Sequence, residues 1–302
     1  MKKRQRKYDY LSVAPSVNVL INLLFIIISL ICLIPFLIVI SVSITEEKAL
    51  IYDGYRLIPK VFSLDGYSFL MYDIKQILHS YGISVLVTVS GTTISLILIS
   101  LYAYPLFRKD FPFRRFFSLF LFFTMLFNGG LVPFYILYTK YLGLKNNIIA
   151  LILPYILNPF YVIVMRTFLK NTIHDSLIES SKLDGAKEMT ILLRIVIPLA
   201  LPAYATIALF TTLIYWNDWY MSLLFISNRE NVSIQYYMFK TFQNMMYMLS
   251  NPTVSFNLDN KSLPTESMRM AMAVVGIGPI VIVYPFFQRY FIKGLTVGAV
   301  KG

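Results

Sequence analysis

Long apolar blocks alternate with short polar segments along the whole chain. Six blocks are each about 20 residues or longer, which is enough for a helix to cross a hydrocarbon core of roughly 30 Å. They occupy residues 17–44, 83–107, 116–138, 148–169, 195–226 and 270–292. The sequence lacks the alternating ten-residue strands that form membrane barrels. The pattern therefore predicts an all-α, polytopic membrane protein with six transmembrane helices.

The composition supports a membrane protein. Hydrophobic residues make up 57 % of the 302 residues and charged residues only 14 %, whereas a soluble domain carries about 25 % charged residues. The net charge of +12 could indicate nucleic-acid binding, but the basic residues are concentrated in the short segments between the apolar blocks. We therefore expect the lipid bilayer, and no nucleic acid, as a partner. The single cysteine, Cys32, can form no intramolecular disulfide.

The distribution of Lys and Arg predicts the orientation. Seventeen of these 27 residues lie in four alternate segments, 1–16, 108–115, 166–194 and 289–302. Basic residues collect in cytoplasmic loops, so these segments and both termini are predicted to be cytoplasmic. The predicted domains are a cytoplasmic tail (1–16), a transmembrane domain (17–292) with a cytoplasmic segment (171–194), and a second cytoplasmic tail (293–302).

The cytoplasmic segment 171–194 has the pattern of two short helices joined by a bend. Ser176 and Glu179 have the spacing of a capping box, so a first helix is predicted from Ser176 to about Leu183. Gly185 would permit a left-handed turn before a second helix. An apolar face that no lipid would cover indicates docking into a groove on a partner, although an ordinary solvated loop is the alternative. This face comprises Leu177, Ile178, Leu183, Met189, Ile191 and Leu192.

The same segment resembles the signature of permease subunits of ATP-binding-cassette importers. That signature is Glu-Ala-Ala, three residues, Gly, nine residues and Ile-x-Leu-Pro. Here it is Glu179-Ser180-Ser181, then Gly185, then Ile195-Val196-Ile197-Pro198. The spacing is intact; two serines replace the alanines and Ile197 replaces the leucine. The resemblance implies that the two helices are coupling helices, which sit in a cleft of a cytoplasmic ATPase.

The resemblance also implies roles for individual residues. Glu179 would face a basic residue of the ATPase, or it would only cap its own helix, and Gly185 would form the bend. The implied coupling residues are Glu179, Ser180, Ser181, Asp184, Gly185 and Lys187. The terminal residues would lie near the ATPase dimer interface, or would form a frayed tail; they are Gly298, Lys301 and Gly302.

Further motifs resemble the carbohydrate branch of these importers. Residues 216–219 (WNDW) resemble its WN-(D/E)-(F/W) signature, and residues 284–302 resemble the terminus of the maltose-type inner subunit. Residues 127–133 (FNGGLVP) and 166–168 (RTF) resemble the subgroup for complex oligosaccharides and polysaccharide fragments. The resemblance covers nearly the whole chain. It implies import of such a carbohydrate across the plasma membrane by alternating access, with a second homologous membrane subunit, an ATPase dimer and an extracytoplasmic solute-binding protein as partners.

The sequence offers no catalytic motif. It contains no P-loop of the form GxxxxGK(S/T), so partner subunits would bind the ATP and this chain needs no cofactor. It also lacks HExxH, GxSxG and any Cys/His cluster that could hold a metal. We therefore expect that the chain is not an enzyme. The two histidines, His79 and His174, are expected to be ordinary surface residues.

Polar groups within the apolar blocks are candidates for a substrate path. An acidic residue in a span is costly and usually faces a cavity or a partner, and aromatic rings beside amide and carboxylate groups suit sugars. The candidates are Trp216, Asn217, Asp218, Trp219 and Asn128. Interface anchoring is the alternative for the tryptophans, and hydrogen bonding between helices is the alternative for Asn128.

The outer stretch 227–268 is long enough to contact a solute-binding protein. Its aromatic residues are candidates for that contact or for packing on the helix bundle; they are Tyr236, Tyr237, Phe239, Phe242 and Tyr247. Two other functions remain open. The same architecture could serve a non-sugar solute such as a peptide or polyol, or the chain could be a membrane anchor that recruits a partner and transports nothing.

Overall fold

The computed structural model describes residues 15–250 and 265–299, and every regular element within these ranges is a helix. This confirms the all-α class. In chain order the helices are α1 (Pro15–Ser43), α2 (Glu47–Asp53), α3 (Asp65–Met71), α4 (Ile74–Phe107), α5 (Arg114–Leu126), α6 (Leu131–Ile136), α7 (Ile149–Ile152), α8 (Pro159–Thr172), α9 (Asp175–Leu183), α10 (Glu188–Ile191), α11 (Ile197–Leu199), α12 (Leu201–Trp216), α13 (Tyr220–Phe225), α14 (Ile234–Ser250) and α15 (Thr265–Ala299).

The described residues form two compact units. The first contains residues 15–72 and 265–274, and the second contains residues 73–250 and 275–299. In the first unit, α1 is apolar and exposed over most of its length, as expected for a helix in contact with lipid, and Pro35 lies inside it without ending it.

The stretch between the first two apolar blocks, residues 45–82, is largely helical. This stretch contains α2, α3 and the first nine residues of α4. Glu47 and Asp65 stand in the first turns of α2 and α3, where a negative charge interacts favourably with the helix dipole. These two acidic residues therefore mark helix starts.

A buried carboxylate holds the start of α15. Glu47 accepts hydrogen bonds from the backbone N–H groups of Glu266 (2.9 Å) and Ser267 (3.1 Å), and from the Ser267 and Thr265 hydroxyls (both 2.9 Å). The first N–H groups of a helix have no partner within the helix. Glu47 supplies that partner from α2, so it fixes α2 to the first turn of α15.

Only some of the predicted spans are single helices. Among the described residues, α1 and α4 are long and apolar enough to cross a membrane alone. Three further candidates are pairs of helices bent at a break: Arg114–Leu126 with Leu131–Tyr141 (110°), Ile149–Tyr155 with Pro159–Thr172 (50°), and Glu188–Leu199 with Leu201–Trp216 (80°). The described chain thus has two to five candidate spans, and the third, fourth and fifth apolar blocks are not unbroken helices. The sixth block lies within α15.

Glycine and proline residues account for the breaks. Gly130, between α5 and α6, has a φ of +82°, which a residue with a Cβ adopts with difficulty. Asn158 is extended before Pro159, because a proline disfavours the helical conformation in the preceding residue. Pro198 and Pro202 flank Ala200, where α11 ends and α12 begins. The apolar pattern alone does not reveal these interruptions.

The second unit is centred on α4, which packs against α8 and α12. Thr92 of α4 shares a hydrogen bond of 3.3 Å with Thr212 of α12, and further along Ser100 bonds to Tyr204. We call this line of contacts the α4–α12 seam; it also includes Ser95 and Tyr215, whose hydroxyls are 3.4 Å apart. Beyond it, residues of α8 and of segment 173–196 complete a buried apolar core.

Gly91 of α4 lies in close contact with the Tyr215 ring of α12. This contact allows the packing of the seam to be tested. A Cβ at Gly91 would lie 2.4–2.7 Å from the Tyr215 ring, whose hydroxyl is held by Ile152 O at 2.9 Å. Overpacking of this kind costs about 1–3 kcal/mol. We expect Gly91→Ala to lower the melting temperature of the detergent-solubilised protein by several degrees.

Gly82, in the same helix, is the matched control. A Cβ added at Gly82 would meet no other atom within 4 Å, and alanine is favoured over glycine inside a helix by about 1 kcal/mol. Gly82→Ala should therefore melt at or above the wild-type temperature. Equal melting of the two variants would show that the seam is not as tight as described.

Candidate coupling and transport site

Segment 175–191 forms two short helices with a bend between them. α9 ends at Leu183 and α10 begins at Glu188, and Gly185 has a φ of +82°. The Gly185 N–H donates to Lys182 O and the Ala186 N–H to Ser181 O, both at 3.0 Å. These two bonds constitute a Schellman motif, which ends α9 and requires the left-handed residue. The predicted bend at Gly185 is confirmed, and we call this segment the hook.

The predicted capping box is wrong. α9 begins at Asp175 rather than Ser176, and His174 occupies the N-cap position without a side-chain cap bond. The chain leaves α8 in an extended conformation at Ile173 and His174, so the N-cap lies two residues earlier than the motif suggested. Asp175 then places a negative charge in the first turn, which the helix dipole favours.

Only part of the predicted apolar face is available to a partner. Ile178, Ile191 and Leu192 are buried in the core of the second unit, in one cluster with residues such as Leu106 and Leu169. They hold the hook to the rest of the chain. The apolar residues left outside are Leu177, Met189 and Leu183, and Leu183 is 90 % exposed.

The predicted coupling residues also include both exposed and buried side chains. Glu179, Asp184 and Lys187 are exposed, and none of them forms an ion pair within the described part of the chain. Ser180 is also exposed, whereas Ser181 is buried and its hydroxyl donates to Leu177 O at 2.7 Å. The outer surface of the hook therefore has charges of both signs and a prominent leucine at its bend.

Four charged residues bind the hook to the end of α4. Arg108 donates to both oxygens of Asp110, at 2.9 and 2.5 Å. Lys182 bridges Asp110 at 3.0 Å and Glu188 at 2.8 Å, and Glu188 returns to Arg108 at 3.6 Å. We call this closed, alternating set of Arg108, Asp110, Lys182 and Glu188 the charge ring.

All four residues of the ring are charged near neutral pH. Hydrogen bonds from Arg108 and Lys182 hold the pKa of Asp110 well below its usual range, and the Glu188 and Asp110 carboxylates raise the pKa of Lys182. A lowered acid pKa contributes stability that is lost only as the pH falls through that pKa, and a raised lysine pKa contributes stability that is lost only above it. Both limits lie outside the physiological range.

The candidate path residues lie at the break between α12 and α13, and their surroundings differ. Trp216 is buried, and its indole N–H donates to Gly276 O at 3.0 Å. Asp218 accepts from the Tyr155 hydroxyl at 2.9 Å and from Met221 N at 3.3 Å. Asn217 is exposed, and Trp219 is partly exposed and stacks on Phe239 of α14 with ring centroids 4.4 Å apart.

A pocket of about 320 Å³ lies beside Trp216, between α4, α12 and α15. Its hydroxyl groups come from Thr88, Thr92, Thr93 and Thr212. This pocket was not predicted from the sequence. Hydroxyl residues spaced by three or four along the second apolar block were the available signal, because they share one face of a helix.

Two other predicted site residues, Asn128 and Gly298, belong to other parts of the sequence than the break after α12. Asn128 lies in the break between α5 and α6, and its Oδ1 accepts from the Gly130 N–H at 2.9 Å, a local turn rather than a bond between helices. Gly298 falls in the last turn of α15, so helix extends past the predicted start of the tail at residue 293. Lys301 and Gly302 lie outside the described residues.

Some of the remaining candidates are exposed, and others pack against the rest of the chain. His79 and His174 are exposed, and the His79 ring is 2.6 Å from Glu230 O. In α14, Tyr236 and Tyr237 are partly buried and pack against a second buried apolar cluster, which includes Tyr215 and Phe225, while Tyr247 is exposed. Among the described residues no group of His, Cys, Asp and Glu side chains could hold a metal ion.

Known proteins resemble this chain over most of its length. Residues 97–297 match the family of the binding-protein-dependent transport system inner membrane component. The polygalacturonan/rhamnogalacturonan transport system permease protein YtcP of Bacillus subtilis is 38 % identical over 274 residues, which are 91 % of this chain and 94 % of the relative. The arabinooligosaccharides transport system permease protein AraQ of Halalkalibacterium halodurans is 29 % identical over 293 residues, 96 % and 98 % of the two chains.

A solved structure also resembles this chain. A chain of a bacterial ABC transporter involved in the import of the acidic polysaccharide alginate superposes with a TM-score of 0.77 at 31 % identity. The match covers 93 % of this chain and 99 % of the other.

The hydrogen bond between Tyr155 and Asp218 is expected to stabilise the break after α12. A hydrogen bond to a charged group contributes about 1.5–3 kcal/mol. We expect Tyr155→Phe and Asp218→Ala each to lower the melting temperature, and the double variant to melt close to Asp218→Ala, because both changes remove the same bond. Thermal unfolding in detergent measures this. Additive losses would mean that the two side chains act independently.

Proposed function

Because this chain belongs to the family of binding-protein-dependent transport system inner membrane components, we propose that this permease subunit moves an oligosaccharide or polysaccharide fragment across the plasma membrane. The substrate class comes from the relatives, whose names refer to polygalacturonan, rhamnogalacturonan, arabinooligosaccharides and alginate. Exposed Asn217 and Trp219 offer an amide and an aromatic face of the kind that binds sugar hydroxyls and sugar C–H faces.

The observation that carries the coupling role is the exposure of Leu183 at the bend of the hook. An apolar side chain that is 90 % exposed gains about 1.5–3 kcal/mol when a partner buries it. The rest of the hook is fixed to the core by Ile178 and Ile191, so it presents a preformed shape. We infer that the hook docks in a cleft of the ATPase, with Glu179, Asp184 and Lys187 around Leu183.

The proposed assembly contains this chain, a second homologous membrane subunit, an ATPase dimer and an extracytoplasmic solute-binding protein. The six apolar blocks suggest six spans, and the Lys and Arg distribution between them supports cytoplasmic positions for both termini and the hook. The mechanism is alternating access: ATP binding in the partner subunits favours one of two packings of the spans over the other. Gly298, Lys301 and Gly302 remain candidates for contact with the ATPase dimer.

Substitution at the tip of the hook tests the docking. We expect Leu183→Glu to weaken retention of the ATPase at least about tenfold, since losing about 1.4 kcal/mol or more of burial corresponds to that factor. Copurification of the ATPase in mild detergent measures retention, and uptake should fall with it.

Ile58→Glu is the matched control for this experiment. Ile58 is also strongly exposed, at 80 %, but lies in the segment predicted to be extracytoplasmic. Its substitution should leave ATPase retention unchanged. Docking at the hook is excluded if Leu183→Glu retains the ATPase as well as Ile58→Glu does.

A panel of solutes tests the substrate class. Cells that lack this chain, and cells in which it has been restored, are compared for uptake of labelled oligogalacturonides, arabinooligosaccharides, alginate oligosaccharides, a peptide and a polyol. We expect restoration to recover uptake of at least one oligosaccharide. Recovery of peptide or polyol uptake alone would replace the carbohydrate with that solute, and uptake that never depends on this chain would favour a membrane anchor.

A further inference from the structure

The charge ring joins parts of the chain that are far apart in sequence. Arg108 follows the last residue of α4, Asp110 lies in the loop before α5, Lys182 lies in α9 and Glu188 begins α10. Lys182 and Glu188 stand on opposite sides of the bend at Gly185, and their 2.8 Å ion pair spans it. The ring therefore fixes the angle between the two helices of the hook as well as their attachment to α4.

The ring differs from an ordinary surface ion pair. Exposed pairs contribute about 0–1 kcal/mol, because holding two flexible side chains offsets their attraction, whereas networks and bidentate arginines are the exceptions. Here each charge has two partners of opposite sign, Arg108 binds Asp110 with two nitrogens, and the Arg108 side chain is only 11 % exposed. The entropy cost of ordering one side chain of the ring is thus offset by two contacts instead of one.

The contacts continue from the ring into α4. The Tyr104 hydroxyl donates to Glu188 at 2.5 Å, and Tyr104 lies one helical turn before Arg108 in α4. In the next turn Ser100 bonds to Tyr204 of α12, within the α4–α12 seam. Polar contacts therefore run from the bend of the hook to the helices that line the pocket beside Trp216.

We propose that the charge ring is a positioning device that makes the hook and α4 move as one body, so that displacement of the hook by the ATPase reaches the transport path. The buried residues Ile178, Ile191 and Leu192 hold the hook to the core, but apolar contacts are not directional. The directional bonds of the ring set the angle at which the hook pushes or pulls on α4. This inference rests on the proposed function, and its test separates the two.

The test compares uptake with ATP hydrolysis in the complete transporter. Asp110→Asn and Lys182→Gln each remove one charge from the ring, so that its charges no longer alternate, while changing side-chain size little. In proteoliposomes that contain the solute-binding protein, we expect each variant to retain its ATPase and to hydrolyse ATP, but to move at least about fivefold less labelled oligogalacturonide per ATP hydrolysed. Lys182→Arg, which can bond to both carboxylates, should restore most of the wild-type ratio.

Lys109→Gln is the matched control. Lys109 is next to the ring and forms an exposed 2.5 Å ion pair with Asp175 of the hook, yet it is not part of the closed set. Its substitution should leave the ratio unchanged. A ratio unchanged in Asp110→Asn and Lys182→Gln would overturn the proposal, and so would loss of the ATPase from these variants, because the ring would then only shape the docking surface.

A distance measurement tests the same proposal without a transported sugar. In a Cys32→Ser background, spin labels are placed at Ser176 in the hook and at Ile97, an exposed residue of α4. The label distance should be the same with and without trapped ADP-vanadate in the wild-type ring, and should change on trapping in Asp110→Asn. A wild-type distance that changes on trapping would exclude rigid movement. Failure of the wild-type chain to retain any ATPase would instead refute the proposed function.

Discussion

Close contact between α4 and α12 is the interaction on which the second unit depends. Lipid is as apolar as leucine, so helices in a membrane associate through small residues that allow close approach and through hydrogen bonds. Gly91 provides the approach, because the Tyr215 ring occupies the space that a side chain would fill. The Tyr215 hydroxyl also donates to Ile152 O, at the end of α7 and shortly before the bend in the fourth apolar block. The end of α12, with Trp216 and the polar residues after it, is positioned by this seam.

A helix start leaves backbone N–H groups without a hydrogen-bond partner in the helix. Asparagine side chains accept from such groups at three places in the described part of this chain. The side-chain oxygens of Asn128, Asn147 and Asn158 each accept from the N–H two residues later, at 2.9–3.0 Å. In hydrocarbon an unpaired N–H costs several kcal/mol, so irregular backbone is tolerated there only when it is paired or lines a cavity. Asn128 and Asn158 stand just before the helices that follow two of the breaks, and Asn147 stands before α7. An asparagine before a proline or beside a glycine in an apolar block is thus a local sign of a bent span.

The sequence allowed the helical class, the extent of α1, the C-terminal end of α4 and the bend at Gly185 to be predicted, because apolar block length and the conformational freedom of glycine are local properties. It did not reveal the bent spans, since apolar residues continue on both sides of the breaks at Gly130 and Ala200. It also misjudged the hook: Ile178 and Leu183 both fit an apolar face, but tertiary packing buries the first and leaves the second exposed. The charge ring was missed because Asp110 lies 72 residues from Lys182 in the sequence. No local pattern indicates such a pairing.

The charges of the hook fall into two groups, and this separation bears on how the segment can serve a partner. Lys182 and Glu188 turn towards α4 and are compensated by the chain itself, whereas Glu179, Asp184 and Lys187 stay exposed beside Leu183. The desolvation cost of docking is therefore limited to residues that hold no part of the hook in place. Residues that shape the hook and residues that we propose to contact the ATPase can then change independently. A permease could adapt its outer charges to a particular ATPase while the angle of the hook, fixed by the ring and by Gly185, stays the same.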